Sequence, residues 1–246
     1  MSQAIPRYAL YYAPRPEEAL SAMANQWLGW NAETGRGRPL PLSSGIDPDR
    51  LAEIIAEPRR YGFHATLKPP FVLVDDMSER DLLDAIGRFV SRERTISAPP
   101  LVLGEIGSFL ALVPTVPSTE LQDLAFRCVI EFDEFRRTAA PDELARRRAA
   151  GLTPRQEQLL GRWGYPYVLE EWRFHMTLTG RLADAGERAT IAAALRHRFA
   201  GALDRPLHVR DLCVFRQPAP DRPFSVLARF RLGGGRLVSA KVWRAS

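Results

Sequence analysis

The sequence is poor in the residues that most often build disulfide, metal and membrane sites. Cys128 and Cys213 are the only cysteines in 246 residues and lie far apart. That removes a disulfide scaffold and a paired-cysteine metal or redox site, leaving both as reduced core residues. Apolar runs are broken by Arg, Glu, Gly or Pro well before the roughly 18 residues of a membrane span, and Met1 to Pro14 lacks the charged head and apolar stretch of a secretion signal. The expectation is a soluble cytoplasmic protein with no membrane contact and no evident obligate protein partner. Lysine is nearly missing: of 34 Lys plus Arg, only Lys68 and Lys241 are lysine. Histidine is scarce as well, four in all, so each can be weighed singly.

What remains is ordinary globular material, 46% hydrophobic and 26% charged, enough for one large domain or two small lobes. A net charge of +5 and a pI near 9.6 favour anionic partners, a small phosphorylated substrate first, with RNA or a nucleotide as the alternative. The arginines are scattered over helical segments (Arg92 and Arg94, Arg136 and Arg137, Arg146 to Arg148), as a solvated exterior would have them.

Hydrophobic periodicity predicts a strand at Arg7 to Tyr12, a helix at Glu17 to Leu28, and a polar loop at Asn31 to Ile46. A helix capped by Asp47 or Asp49 should be stopped by Pro58, and a strand from Tyr61 to Leu67 closed by Pro69 and Pro70. Ser78 caps a helix to about Glu93, and Leu101 to Ile106 with Phe109 to Val113 form a hairpin around Gly107 and Ser108. Helical segments follow at Ser118 to Arg137, Pro141 to Ala149 and Pro154 to Arg162. The earlier order then returns: a strand at Trp172 to Leu178, a helix at Asp184 to Ala200, and a strand pair at Leu207 to Phe215 and Phe224 to Phe230. Strand, helix, strand, strand thus occurs twice. No linker is long enough to cut the chain, so residues 1–246 read as a single bilobal α+β domain, with antiparallel sheet, helices outside and a cleft between two lobes.

Inside the two matching strands the residues themselves repeat, as Phe63-His64-Ala65-Thr66-Leu67 and Phe174-His175-Met176-Thr177-Leu178. On a strand, His and Thr two apart share one face, roughly 7 Å along the chain. If the two strands face each other across a pseudo-two-fold axis, two imidazoles and two hydroxyls converge on a volume suited to one phosphoryl group. One neutral histidine can take a proton while the other, protonated, gives one, each with an ordinary pKa near 6.5. Thr66 and Thr177 can donate to the non-bridging oxygens. None of these roles requires a metal or a cofactor. A two-histidine metal site lacks Asp, Glu or Cys at ligand spacing, and a serine or cysteine nucleophile lacks its elbow motif. His197 and His208 have no identifiable partner.

These residues resemble the 2H phosphoesterase superfamily, whose signature is two copies of His-x-Ser/Thr in strands. The resemblance implies two related α+β lobes, catalytic His64 and His175, phosphate-binding Thr66 and Thr177, and hydrolysis of cyclic phosphates or small phosphodiesters without a metal. Members that open cyclic phosphates imply that His175 activates the nucleophile and His64 protonates the leaving group. The opening Arg7-Tyr8-Ala9-Leu10-Tyr11-Tyr12, the Tyr61 to Lys68 block and Phe215-Arg216-Gln217 look like a bacterial branch associated with phosphonate-utilisation operons.

Extending the alternation adds Lys68 to the face of His64 and Thr66, and Arg173 with Thr179 to the face of His175 and Thr177, with Lys68 and Arg173 as further substrate-binding residues. Arg216, Gln217 and Arg222 lie in a segment that could border the cleft. Tyr8, Tyr11, Tyr12, Tyr61 and Tyr165 stack on a base or pack in the core, and Trp27 and Trp30 pack. The alternative to an enzyme is an RNA- or nucleotide-binding protein with a non-catalytic cleft.

Overall fold

The computed structural model describes residues 5–41, 46–149, 151–234 and 236–237. Part of the Asn31 to Ile46 loop, the first residues of Met1 to Pro14, and Lys241 lie outside them. In chain order the elements are β1 (Arg7–Tyr12), α1 (Ala19–Trp27), β2 (Trp30–Asn31), β3 (Arg36–Gly37), α2 (Pro48–Tyr61), β4 (Ala65–Phe71) and α3 (Glu79–Arg92). Next come β5 (Ile96–Ala98), β6 (Leu101–Ile106), β7 (Phe109–Pro114), α4 (Thr119–Glu131), α5 (Pro141–Arg148) and α6 (Pro154–Trp163). The chain continues through β8 (Met176–Thr177), α7 (Ala185–Phe199), β9 (Leu207–Val209), β10 (Asp211–Gln217), β11 (Ser225–Arg231) and β12 (Arg236–Leu237).

The fold is α+β, as the pattern predicted, but the two halves meet differently from the expectation. They do not face each other as separate sheets. One eight-stranded antiparallel sheet runs in the order β12-β11-β10-β1-β4-β8-β7-β6, and the two motif strands lie side by side at its middle, joined through the pair Ala65 and Met176. Each repeat lends its hairpin to the other's flank: β6 and β7, from the first repeat, extend the sheet beyond β8, whereas β10 and β11, from the second, extend it beyond β1 and β4. A local two-fold axis between the central strands accounts for this. Ser97 of β5 pairs with His208 of β9 at the same sequence separation as Ala65 from Met176, so both pairs sit on that axis. His208 thereby has its place in a small sheet.

One face of the sheet carries the main core. Leu10, Ala65, Met176, Leu112 and Val214 pack there against Trp27 of α1, Ile55 of α2, Phe89 of α3, Leu124 of α4 and Leu195 of α7, all but fully buried. Helix α3 shows why such segments fold as they do. Ser78 and Asp81 form a reciprocal capping box, and Leu82, Leu83, Ile86, Phe89 and Val90 make one buried stripe. On the other face a smaller cluster of Ala9, Tyr11, Cys213, Phe215 and Phe224 is covered by Trp30 and Tyr61. Cys128 and Cys213 are both buried and unbridged, as expected.

Two elements run on through the prolines that were expected to stop them. Helix α2 runs through Pro58 to Tyr61. Proline has no N–H for the carbonyl four residues back, and that carbonyl, on Ile54, instead accepts a hydrogen bond from the Gly180 amide at 2.6 Å, tying α2 to the chain that leaves β8. Likewise β4 continues through Pro69 and Pro70. Its pairing with β1 steps from Leu10 opposite Lys68 to Tyr8 opposite Phe71, a bulge that places the prolines where the ladder skips a bond. The Trp172 to Leu178 strand shortens to Met176 and Thr177 because a 3₁₀ turn at Leu169–Glu171 precedes it, and the Trp172 indole donates to the Thr66 carbonyl at 2.7 Å.

Candidate active site

With Ala65 and Met176 paired and both side chains in the core, alternation sends their neighbours to the opposite face. In antiparallel register His64 lies across from Thr177 and Thr66 across from His175. The four side chains form a group with sides of roughly 5 Å across the pair and 7 Å along the strands. All four line one cavity of ≈ 390 Å³.

Both imidazoles are oriented in the same way. His64 Nδ1 lies 2.9 Å from the Gly62 carbonyl, and His175 Nδ1 lies 2.9 Å from the Arg173 carbonyl. A carbonyl only accepts, so each Nδ1 carries the hydrogen and each Nε2 is the nitrogen left for chemistry. Gly62 holds φ +76° and ψ 174°, a combination essentially restricted to glycine. A Cβ there would meet the Ala32 Cβ at 2.8 Å. Turning the chain from α2 into β4 and presenting the carbonyl that aims His64 are therefore one requirement.

The two halves differ in what surrounds the rings. His64 stacks on Tyr11 at 3.7 Å between centroids, and its Nε2 is 3.2 Å from Thr66 Oγ1. His175 has Phe109 tilted beside it at 5.9 Å. Burial pulls His64 from 6.5 down to about 4, opposed by the bond to Gly62 and assisted by the neighbouring His175. Burial lowers His175 too, opposed by the bond to Arg173. In place of two ordinary imidazoles near 6.5, the site thus has two with lowered pKa, neutral at pH 7.

Lys68 departs from its expected position. It is 2% exposed, and its Nζ donates to the Val129 carbonyl of α4 at 3.0 Å and approaches Asp133 at 3.5 Å. The reason is a second irregularity in β4: pairing steps from Tyr11 opposite Thr66 to Leu10 opposite Lys68. The extra residue, Leu67, shifts the alternation and turns Lys68 to the core. Burial lowers its pKa to about 8, against the opposing pull of Asp133. Replacing Lys68 by Met should cost about 1 to 3 kcal/mol of stability by stranding the Val129 carbonyl, while leaving kcat/KM within about threefold. Denaturant melts and kinetics together check this, and a tenfold kinetic loss at unchanged stability would return Lys68 to the site.

Arg173 is exposed and borders an adjoining cavity of ≈ 580 Å³ that shares Thr66, His175 and Arg181 with the first. Among the described residues its bond to the site is the backbone carbonyl that aims His175. Thr179 lines the first cavity as expected, but is almost fully buried and accepts from the Leu110 amide. Tyr11, Tyr61 and Tyr165 line the first cavity, whereas Tyr8 and Tyr12 belong to the main core. Arg216 turns away to Glu79. Gln217 is fully buried, accepts from Arg7 and donates to the Arg222 carbonyl. Trp27 and Trp30 pack and donate to the Leu178 and Phe224 carbonyls.

Sequence reasoning missed three lining arginines, Arg7, Arg147 and Arg181. Arg7 was within reach, since it lies on the same face of β1 as Tyr11. Arg147 lies over the Tyr165 ring at 4.7 Å and pairs with Glu143, a contact set by how α5 lies over the sheet. Among the described residues no group of three or more His, Cys, Asp or Glu is placed to hold a metal ion, and no helix is long and apolar enough to cross a membrane.

The model of a family described as "Protein of unknown function (DUF1045)" matches residues 66–225. The ribose 1,5-bisphosphate phosphokinase PhnN of Janthinobacterium sp. (strain Marseille) is 39% identical over 240 residues, 95% of this chain and 52% of that protein. The protein of the same name from Laribacter hongkongensis (strain HLHK9) is 35% identical over 219 residues, 89% of this chain and 50% of its own length. The chain spans about half the length of these curated relatives. Among solved structures, E. coli LigT complexed with 3′-AMP is similar with 14% identity and a TM-score of 0.43, covering 93% of this chain and 98% of that one. A structure described as a phosphoesterase has 15% identity, a TM-score of 0.41, and coverage of 93% and 98%.

Proposed function

The chain belongs to the DUF1045 family, and from its site we propose that it is a two-histidine phosphodiesterase of the 2H type, hydrolysing a cyclic phosphate or small phosphodiester. One observation carries the reading. Two His-x-Thr pairs, related by a local two-fold axis, place two Nδ1-anchored imidazoles and two hydroxyls around one cavity.

In the reaction one imidazole Nε2 takes the proton from water as its oxygen bonds to phosphorus. The other imidazole, protonated, gives its proton to the oxygen whose bond to phosphorus breaks. A cyclic ester yields one phosphomonoester with a freed hydroxyl, and each histidine ends in the other's starting state until a proton exchanges through solvent. Thr66 and Thr177 donate to the non-bridging oxygens as charge gathers there. The surroundings favour His64 as base, the reverse of the family-based assignment: it is the more strongly desolvated ring, which holds it neutral and ready to take a proton. His175, less depressed and with Nε2 open, is the acid.

For the organic part of the substrate we favour a small sugar phosphate in phosphonate metabolism. The name of the two curated relatives, with a bisphosphorylated ribose in it, supports this. Reduced, buried cysteines fit the cytoplasm. The RNA-binding alternative drew on basic charge, yet many arginines sit in ion pairs with nearby carboxylates, among them Arg15 with Asp211, Arg50 with Glu187, Arg127 with Glu93 and Arg148 with Glu157.

The test is a screen of cyclic phosphates, 2′,5′-linked dinucleotides and ribosyl phosphonates with products read by ³¹P NMR. Binding without any product would favour the binding-protein reading. Turnover should survive EDTA unchanged, because the residues complete the chemistry by themselves. Loss restored by a divalent cation would exclude this mechanism.

A further inference from the structure

We propose that Arg7, held by Gln217, is a second anion site, and that the substrate carries a phosphate in addition to the one attacked between the histidines. This rests on the phosphodiesterase reading for the identity of the reacting group, but not for the existence of the anion site.

The argument starts from how Arg7 is held. Its Nε and Nη2 both donate to Gln217 Oε1, at 2.8 and 2.5 Å. Gln217 is fully buried, and its Nε2 donates to the Arg222 carbonyl at 2.7 Å, so the amide cannot turn its oxygen elsewhere without losing that bond. A guanidinium is normally gripped in this two-pronged way by a carboxylate, which also neutralises it. Here the grip is made by a neutral amide. Among the described residues Arg7 has no carboxylate partner, and its Cζ lies 5.6 Å from the centroid of the Phe224 ring. The residue is fixed in place with its full charge facing the cavity it lines.

Position separates this charge from the reacting centre. Arg7 and Tyr11 share a face of β1 four residues apart, roughly 13 Å of strand, and it is Tyr11 that stacks on His64. An anion held by Arg7 therefore sits on the order of 10 Å from the His-Thr group, too far to be another oxygen of the same phosphoryl group and about the span of a pentose between two phosphates. The charge count agrees. A phosphodiester carries one negative charge, matched by the single proton that the histidine pair holds in the reactive form, and the cavity also presents Arg181, without a carboxylate partner among the described residues, while Arg147 is paired with Glu143. Glu57 is the one carboxylate in the lining.

Calorimetric titration with two ligands that differ by one phosphate tests the site without turnover. Adenosine 2′,5′-bisphosphate should bind the parent protein about 10- to 100-fold more tightly than adenosine 2′-monophosphate. Arg7→Gln should reduce that ratio to near one, and Gln217→Glu should reduce it also by neutralising the arginine in place. Arg7→Lys, checked like the others for native circular dichroism, should restore part of it. Equal affinities for the two ligands in the parent, or a ratio that survives Arg7→Gln, would overturn the proposal. A ratio that behaves as expected in a protein that opens neither adenosine 2′,3′-cyclic phosphate nor its 5′-phosphorylated form would uphold the anion site and sink the phosphodiesterase reading instead.

Discussion

His64→Ala and His175→Ala should each lower turnover of a cyclic phosphate by about 100- to 10,000-fold, the range a positioned proton-transfer group contributes. The double variant should be little worse than either single one, because the pair acts as a unit. Folding should hold. Neither ring belongs to the main core, and His64→Asn, which keeps a polar planar group against Tyr11, guards against a packing artefact at that position. The leaving group separates the two roles. With a p-nitrophenyl phosphodiester, whose leaving oxygen needs no proton, His175→Ala should recover most of its rate while His64→Ala should not. If both variants kept near-normal turnover on the cyclic ester, the two-histidine mechanism would be wrong. Recovery in His64→Ala alone would exchange the acid and base assignments.

A second large effect is expected in the pH profile of kcat/KM, which reports the free enzyme. The reactive form holds one proton on the histidine pair. Burial lowers both imidazoles, His64 to about 4 and His175 below its ordinary 6.5, so above the upper step of the pair the one-proton form is depleted as pH rises. The maximum should therefore lie between about 4 and 6.5, followed by a fall of about tenfold per pH unit toward neutrality and beyond. The two steps belong to the pair and not to either ring alone. Bound phosphodiester brings a negative charge next to the imidazolium and favours it, so the basic limb of kcat should lie at higher pH than that of kcat/KM. Profiles measured from pH 4 to 9 decide the matter. A kcat/KM that stays level from 6.5 to 8.5 would overturn the lowering of the pair by burial.

The sequence by itself determined the duplication and the face of each strand on which its polar pair lies. Phe-His-x-Thr-Leu written twice in strand-like surroundings places His and Thr on one face and the apolar residues on the other by the two-residue period alone, which is why His64, Thr66, His175 and Thr177 were legible without coordinates. Periodicity and capping residues likewise revealed α3 and the β6-β7 hairpin, because those signals are local. Tertiary structure decided whatever depended on which strand lies beside which. Whether the motif strands face each other or adjoin is a matter of pairing partners, and one pair, Ala65 with Met176, settles it. Lys68 was assigned to the wrong face because a bulge exists only relative to the neighbouring strand, here β1, and one extra residue reverses the alternation beyond it. Pro58 was read as a helix stop because the amide that satisfies the Ile54 carbonyl comes from Gly180, in the other repeat. The grip of Gln217 on Arg7 joins residues 210 positions apart, through the pairing of β1 with β10. The depressed histidines, too, follow from burial by segments distant in the chain, a solvation effect that no local pattern encodes.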